Sequence, residues 1–294
     1  MADARFTGTG VAIVTPFNID YSVDFPSLEK ITDYCITNGV SYIVVLGTTG
    51  ESATLTKEEK KEVVKTVVKA SAGRVPIVIG IGGNFTQEVV ETIKNADFQG
   101  IEAILSVSPY YNKPNQNGLY EHYKVIAQVS PLPIILYNVP GRTGMNMTAH
   151  TVVKLAHDFK NIIAVKEASG NLVQVMEILR DKPADFSVIS GDDALTLPMI
   201  SVGATGVISV IANSHPKEFS IMVDEAIGGN YQLARKIHLS LIETINLLFV
   251  DGSPGGVKAI LEMRKLCQNV VRLPLMPVSD NIYKKIKEEV FQAK

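Results

Sequence analysis

Residues 57–82 read KEEKKEVVKTVVKASAGRVPIVIGIG, and this stretch holds the repeating unit of the chain. Over 57–71, Val63, Val64, Val67 and Val68 recur at i, i+1, i+4 and i+5, while the lysines and glutamates occupy the other face. That spacing gathers the valines on one face of a helix. Past Ala72-Gly73 the pattern changes to a near-continuous, β-branched apolar run over 75–82. A short run that is apolar at nearly every position predicts a strand covered on both faces, as in a parallel sheet under helices.

The alternation extends in both directions. Strands are expected at 11–17, 41–47, 75–82, 103–109, 133–140, 162–169, 186–191 and 206–211. Helices are expected at 25–38, 57–71, 86–96, 118–129, 148–158, 172–181 and 194–203, with an eighth at about 216–227. Eight strand–helix units are the count of an α/β fold of the (β/α)8 TIM barrel type. An open doubly wound sheet shares the alternation and is the alternative. After Gly228-Gly229 the strands stop, and 231–249, 256–268 and 280–292 read as helices alone. The expected division is a barrel over 1–228 that carries the active site and a C-terminal helical domain over 229–294.

Composition narrows the function classes. Hydrophobic residues are 46% of the 294, enough for a large core without disulfide or metal staples. Twenty-eight basic against 30 acidic residues leave a formal charge of −2, which argues against a nucleic-acid binder and against disorder. Cys35 and Cys267 are too few and too distant for a disulfide framework or a cysteine zinc site. A reducing, cytoplasmic setting is expected. The opening MADARFTGTG has no basic stretch leading into an apolar one, so no signal peptide is expected. No run of 18 apolar residues suggests a membrane span.

In such barrels chemistry sits at the C-terminal ends of the strands. Those ends offer Gly47-Thr48-Thr49-Gly50-Glu51, Pro109-Tyr110-Tyr111-Asn112, Tyr137-Asn138-Val139-Pro140-Gly141-Arg142-Thr143-Gly144, Lys166-Glu167 and Ser190-Gly191-Asp192-Asp193. Lys166 is the most informative. By the two-residue period, Ile162, Ala164 and Lys166 share one face of their strand. An interior position disfavours the ammonium and frees a neutral amine, which can attack a ketone. A strand-end lysine paired with Glu167 or an aspartate fits the spacing equally. Thr48-Thr49 between glycines suits backbone contact with a small anion, or is simply a strand-to-helix turn. Tyr111 and Tyr137 suit proton transfer or packing, and Arg142 suits a carboxylate or the surface.

Other signals fail. Gly80-Ile81-Gly82-Gly83-Asn84-Phe85 resembles a dinucleotide fingerprint, but Phe85 stands where Gly or Ala is required. There is no Walker-type phosphate loop. His122, His150, His157, His215 and His238 form no short ligand pair, so no metal is inferred.

Taken together, 47–51 (GTTGE), 137–143 (YNVPGRT) and 166–170 (KEASG) resemble the dihydrodipicolinate synthase (4-hydroxy-tetrahydrodipicolinate synthase) family, within the N-acetylneuraminate lyase superfamily of class I pyruvate-dependent aldolases. The resemblance runs from about Gly8 to the C-terminus. It implies a TIM barrel with C-terminal helices, usually a homotetramer, and no cofactor. It implies a lyase that condenses pyruvate with L-aspartate-4-semialdehyde on the route to diaminopimelate and lysine. By position, Lys166 matches the Schiff-base lysine and Tyr137 the general acid/base. Thr48, Tyr137 and Tyr111 match a proton relay in which Tyr111 comes from a neighbouring subunit. Thr49, Ile208 and Gly191 match the pyruvate pocket, and Arg142 matches the receiver of the aldehyde's carboxylate. An effector site for free lysine is implied at Ser52, Ala53, Lys57, Asn84, Glu88 and Tyr110. There the chain departs from a common pattern, having Lys57 and Lys60 where histidines often stand. A sister aldolase, such as N-acetylneuraminate lyase or a 2-keto-3-deoxy-sugar-acid aldolase, shares the pyruvate half-site. A non-catalytic ligand-binding barrel is the remaining alternative, and the lysine–tyrosine–threonine set argues against it.

Overall fold

Each apolar run yields a parallel strand, and the eight strands close on themselves. A computed structural model describes residues 3–292. Met1, Ala2, Ala293 and Lys294, the outer ends of the two expected domains, lie outside the described residues. In chain order the elements are β1 (Gly8–Ala12), α1 (Phe25–Thr37), β2 (Tyr42–Val45), α2 (Lys57–Ser71), β3 (Ile77–Gly80) and α3 (Thr86–Asn95). Then come β4 (Ala103–Val107), α4 (Gln116–Val129), β5 (Ile134–Asn138), the single-turn α5 (Pro140–Thr143) and α6 (Ala149–Asp158). They are followed by β6 (Ile162–Glu167), α7 (Leu172–Asp181), β7 (Ser187–Ser190), α8 (Thr196–Ser201), β8 (Gly206–Ser209) and α9 (Pro216–Ile227). The chain continues through α10 (Tyr231–Leu247), α11 (Gly255–Met263) and α12 (Asp280–Gln292). Neighbours pair in sequence order, and β8 returns to β1 from Gly8↔Gly206 to Val11↔Ser209. Closure rules out the open sheet.

Two apolar clusters result. An outer one packs the helices on the barrel and includes Val63 and Val67 of α2, with Val64 and Val68 at its edge. An inner one fills the barrel and includes Phe6, Tyr42, Val44, Leu105, Ile135, Ala164 and Ile208. Phe6 meets Tyr42 edge-to-face at 5.7 Å, and the Tyr42 hydroxyl donates to the Val207 carbonyl at 3.2 Å. With the N-terminal end of the barrel so filled, open space is left at the other end.

Five expectations are corrected. The first strand is Gly8–Ala12 rather than 11–17. Its glycines carry no strand signal, yet a Cβ on Gly10 would sit 2.3 Å from the Tyr42 ring. The remaining strands are shorter than expected, because the residues past their ends bend into rim loops. In β6, Ile134 pairs with Ile162 but Ile135 with Ala164, so Ile163 is an extra residue. This bulge turns Ile162 to the outer cluster while Ala164 and Lys166 face inward, and simple alternation fails there. Among helices, α4 begins at Gln116 because Asn115 caps it, its side chain accepting from the Gly118 N–H at 2.9 Å. The helix expected at 256–268 ends at Met263, before Lys265 at φ +59°.

Candidate active site

The C-terminal rim opens into one cleft of about 1970 Å³. Thr48, Thr49, Tyr137, Arg142, Lys166 and Gly191 all line it, from strands β2, β5, β6 and β7. No histidine lines it. Burial pushes His122 and His215, both away from the cleft, down to about 4.

Lys166 is 5% exposed, and Tyr137 beside it is its register partner. The Lys166 ammonium lies 4.3 Å from the centroid of the Tyr137 ring. Among the described residues Lys166 has no ion pair and no hydrogen bond to another side chain, so of the two readings the paired one is set aside. The reason is the alternation of the strand. Glu167 faces the opposite way, where Asn138, Gln174 and the Ser169 N–H all donate to it at 2.7–3.2 Å. Asn138 and Gln174 also bind Asn146 and the Met147 carbonyl, fixing the loop that follows Arg142. Sequence reading missed this buried amide–carboxylate network, since each member looks like an ordinary loop residue.

Gly191 packs on the lysine itself. A Cβ there would stand 3.0 Å from Lys166 Cε and 2.7 Å from the Ala168 methyl. Glycine at this position therefore keeps the amine's shaft in place. Arg142 sits on α5, which starts at Pro140 and stops at Gly144 with φ +72°. The guanidinium is exposed and, among the described residues, free of ion pairs.

Thr48–Gly50 forms a tight turn after β2, closed by the Glu51 N–H on the Thr48 carbonyl at 3.0 Å. Thr15 braces it from β1's side, donating to the Gly50 carbonyl at 2.7 Å. Asp193, next along the rim after Asp192, is buried and pushed up to about 6 by burial. Its carboxylate accepts the Val210 and Ile211 N–H groups at 3.0 and 2.8 Å.

Two expected residues stand apart. Ile208 is 1% exposed within the inner cluster and does not line the cleft. Tyr111 is 90% exposed at φ +68° and likewise does not line the cleft of its own chain. The cleft also runs outward past Ser52, Ala53, Lys57, Asn84, Glu88 and Tyr110, with Lys60 and Lys61 beside them.

A second buried lysine was not foreseen. Lys258 of α11 is ion-paired with Glu51, both side chains being 0% exposed. Its one sequence signal is a charge set between apolar residues on both sides in the helix GGVKAILEM. No helix among the described residues is long and apolar enough to cross a membrane, and no three His, Cys, Asp or Glu side chains among them gather as a metal site.

Comparison with known proteins sharpens this picture. The model of the dihydrodipicolinate synthetase family matches residues 5–293. The 4-hydroxy-tetrahydrodipicolinate synthase of Parabacteroides distasonis is 56% identical over 292 residues, 99% of this chain and 98% of that one. The crystal structure of the synthase from Cyanidioschyzon merolae with lysine bound superposes with a TM-score of 0.94 at 40% identity, covering 98% of both chains. The chloride-inhibited synthase from Acinetobacter baumannii, complexed with pyruvate, gives a TM-score of 0.93 at 40% identity over 96% of this chain and 97% of that one.

Proposed function

The chain belongs to the dihydrodipicolinate synthetase family, and we propose that its rim carries out that family's reaction, the Schiff-base condensation of pyruvate with L-aspartate-4-semialdehyde in lysine and diaminopimelate biosynthesis. It is a class I aldolase-type lyase acting as a 4-hydroxy-tetrahydrodipicolinate synthase. The observation that carries the chemistry is Lys166: a buried amine without a carboxylate partner among the described residues, against the Tyr137 ring, at the wall of the cleft. A lysine so held attacks the ketone of pyruvate, water leaves, and the iminium withdraws electrons from the adjacent methyl group. Loss of a methyl proton gives an enamine, whose carbon attacks the aldehyde. Tyr137 and Thr48 move the protons, and Thr49 and Gly191 shape the pyruvate pocket, with Ile208 packed beneath it. Arg142 receives the carboxylate of the aldehyde and orients it for attack.

In this reading Tyr111 serves the cleft of a neighbouring subunit in a homotetramer, which accounts for so exposed a phenol at a strained φ. Residues 1–228 form the catalytic unit and 229–294 the helical one. Free lysine acts from the outer part of the cleft, through Ser52, Ala53, Lys57, Asn84, Glu88 and Tyr110. Lys57 and Lys60 repel its side-chain ammonium, so inhibition is weaker than histidines would permit. A cytoplasmic location suits the two free cysteines.

Borohydride reduction in the presence of pyruvate, followed by peptide mass spectrometry, should mark Lys166. An adduct elsewhere, or none, removes the proposal. Turnover with aspartate semialdehyde but not with N-acetylmannosamine separates it from the sister aldolases, and a lysine titration reads the effector site directly.

A further inference from the structure

Glu51 carries an unusual load for a loop residue. It follows directly on the Thr48–Gly50 turn and holds a left-handed backbone, φ 51° and ψ 35°, although it is not glycine. Such a conformation persists only where its surroundings impose it. The surroundings come from the far end of the chain. Lys258 donates to one carboxylate oxygen and the Arg272 N–H donates to the other at 3.0 Å. Lys258 also donates to the Val270 carbonyl at 2.8 Å, and its ammonium lies 4.2 Å from the centroid of the Phe17 ring. The Arg272 guanidinium lies 4.4 Å from the same centroid and donates to the Thr54 carbonyl and to Glu59. The segment from the threonine turn to the start of α2 is thus clamped, in three places, by α11 and the loop after it.

A fully buried ion pair is a poor stabiliser, because desolvation offsets most of the attraction and an apolar pair of similar volume often does as well. What the pair supplies is direction. An apolar contact would tolerate sliding, whereas a carboxylate that accepts from Lys258 and Arg272 at once fixes one orientation of residue 51. Through the Glu51 N–H on the Thr48 carbonyl, it fixes the turn before it as well.

We propose that Glu51 and Lys258 are positioning residues for the condensation, by which the C-terminal helices hold the Thr48–Thr49 turn in its reactive place. The inference rests on the proposed reaction and deepens it. Thr49 shapes the pyruvate pocket and Thr48 moves protons in the reaction, whereas Arg142 receives the aldehyde's carboxylate from α5. The loosened turn therefore raises KM for pyruvate and lowers the shared kcat, while KM for the aldehyde is spared.

The test is steady-state kinetics on Glu51→Gln and Lys258→Met. KM for pyruvate should rise and kcat fall, together by roughly 10- to 100-fold in kcat/KM. KM for aspartate semialdehyde should stay within about twofold, since Arg142 is untouched. Unchanged constants in the folded variants, or an equal rise in KM for both substrates, overturn the proposal and leave the pair a structural one. If a single variant fails to fold, the double variant Glu51→Gln/Lys258→Met, which leaves no uncompensated charge, is measured in its place: the same split between substrates supports the proposal, and its absence overturns it. Borohydride trapping of the wild-type protein with pyruvate is run alongside. Its failure strikes the reaction itself, whereas trapping at Lys166 with unaltered variants strikes the positioning role alone.

Discussion

Lys166 and Lys258 are both buried, in one chain, and they are opposites. Lys258 has a buried carboxylate on its ammonium, a carbonyl as second acceptor and an aromatic ring alongside. Lys166, among the described residues, has the aromatic ring alone. Burial lowers the proton affinity of Lys258, and Glu51 pulls it back. The difference shows that burial alone does not leave an amine free. Lys166, among the described residues, lacks a partner on a strand face that opens into a cleft, and its proposed role rests on that.

The largest effect expected from this contrast is on stability. Lys258→Met leaves Glu51 buried without its counter-charge and should cost about 3–5 kcal/mol in chemical denaturation. Lys166→Met removes an amine with no ion pair and should leave stability within about 1 kcal/mol while abolishing the pyruvate adduct. Equal losses would erase the distinction between the two sites.

The next effect is in pH. Asp193, on the rim, is raised from 3.8 to about 6 by burial, so the folded protein holds a proton that the unfolded chain has already released. Its contribution is fully present below 3.8 and is lost as pH rises through about 6, up to about 3 kcal/mol in total. In Asp193→Asn the stability slope across that window should flatten, as read by denaturant titration at several pH values.

Gly191→Ala tests how closely the free lysine is fitted. The new methyl would meet Lys166 Cε at 3.0 Å and Ala168 at 2.7 Å. A cost of about 1–3 kcal/mol is expected, with slower pyruvate trapping as the amine is displaced. Trapping at the wild-type rate would mean that the lysine's placement does not depend on this contact.

The smallest effect belongs to the clamp's outer pair. Arg272 holds the Glu59 carboxyl down at about 2, so its contribution is present above the ordinary 4.5 and is lost as pH falls through about 2. Glu59 is partly solvated, and Glu59→Gln should cost only about 1 kcal/mol at neutral pH, a cost that shrinks as pH falls towards about 2. The two regions thus answer acid in opposite directions, and parallel slopes would contradict the assignment of either carboxyl.

The barrel and its site were legible to different depths. Seven of the eight apolar runs located their strands, because burial on both faces leaves its mark at every position. Strand ends were less legible, since Leu46, Ile81 and Val139 remain buried after leaving the sheet. β1 was displaced because Gly8 and Gly10 are there for the space they leave, and an absent side chain has no hydropathy. Lys166, Tyr137, Thr48, Thr49, Arg142 and Gly191 were all readable as polar or small residues at strand ends, and one cleft gathers them.

By itself the sequence determined the alternation, the count of eight, the rim on which chemistry sits and, through three short motifs, the family. These are local properties: each depends on residues within one strand, one helix or one turn. Only the tertiary structure decided that Lys166 stands unpaired among the described residues while Glu167 turns away into an amide network, and that the bulge at Ile163 breaks the alternation beneath them. It alone joined Glu51 to Lys258 across 207 positions. A carboxylate and an amine so far apart meet only when the closed barrel carries the last helices back over its first turns, and no periodicity in the chain records that meeting.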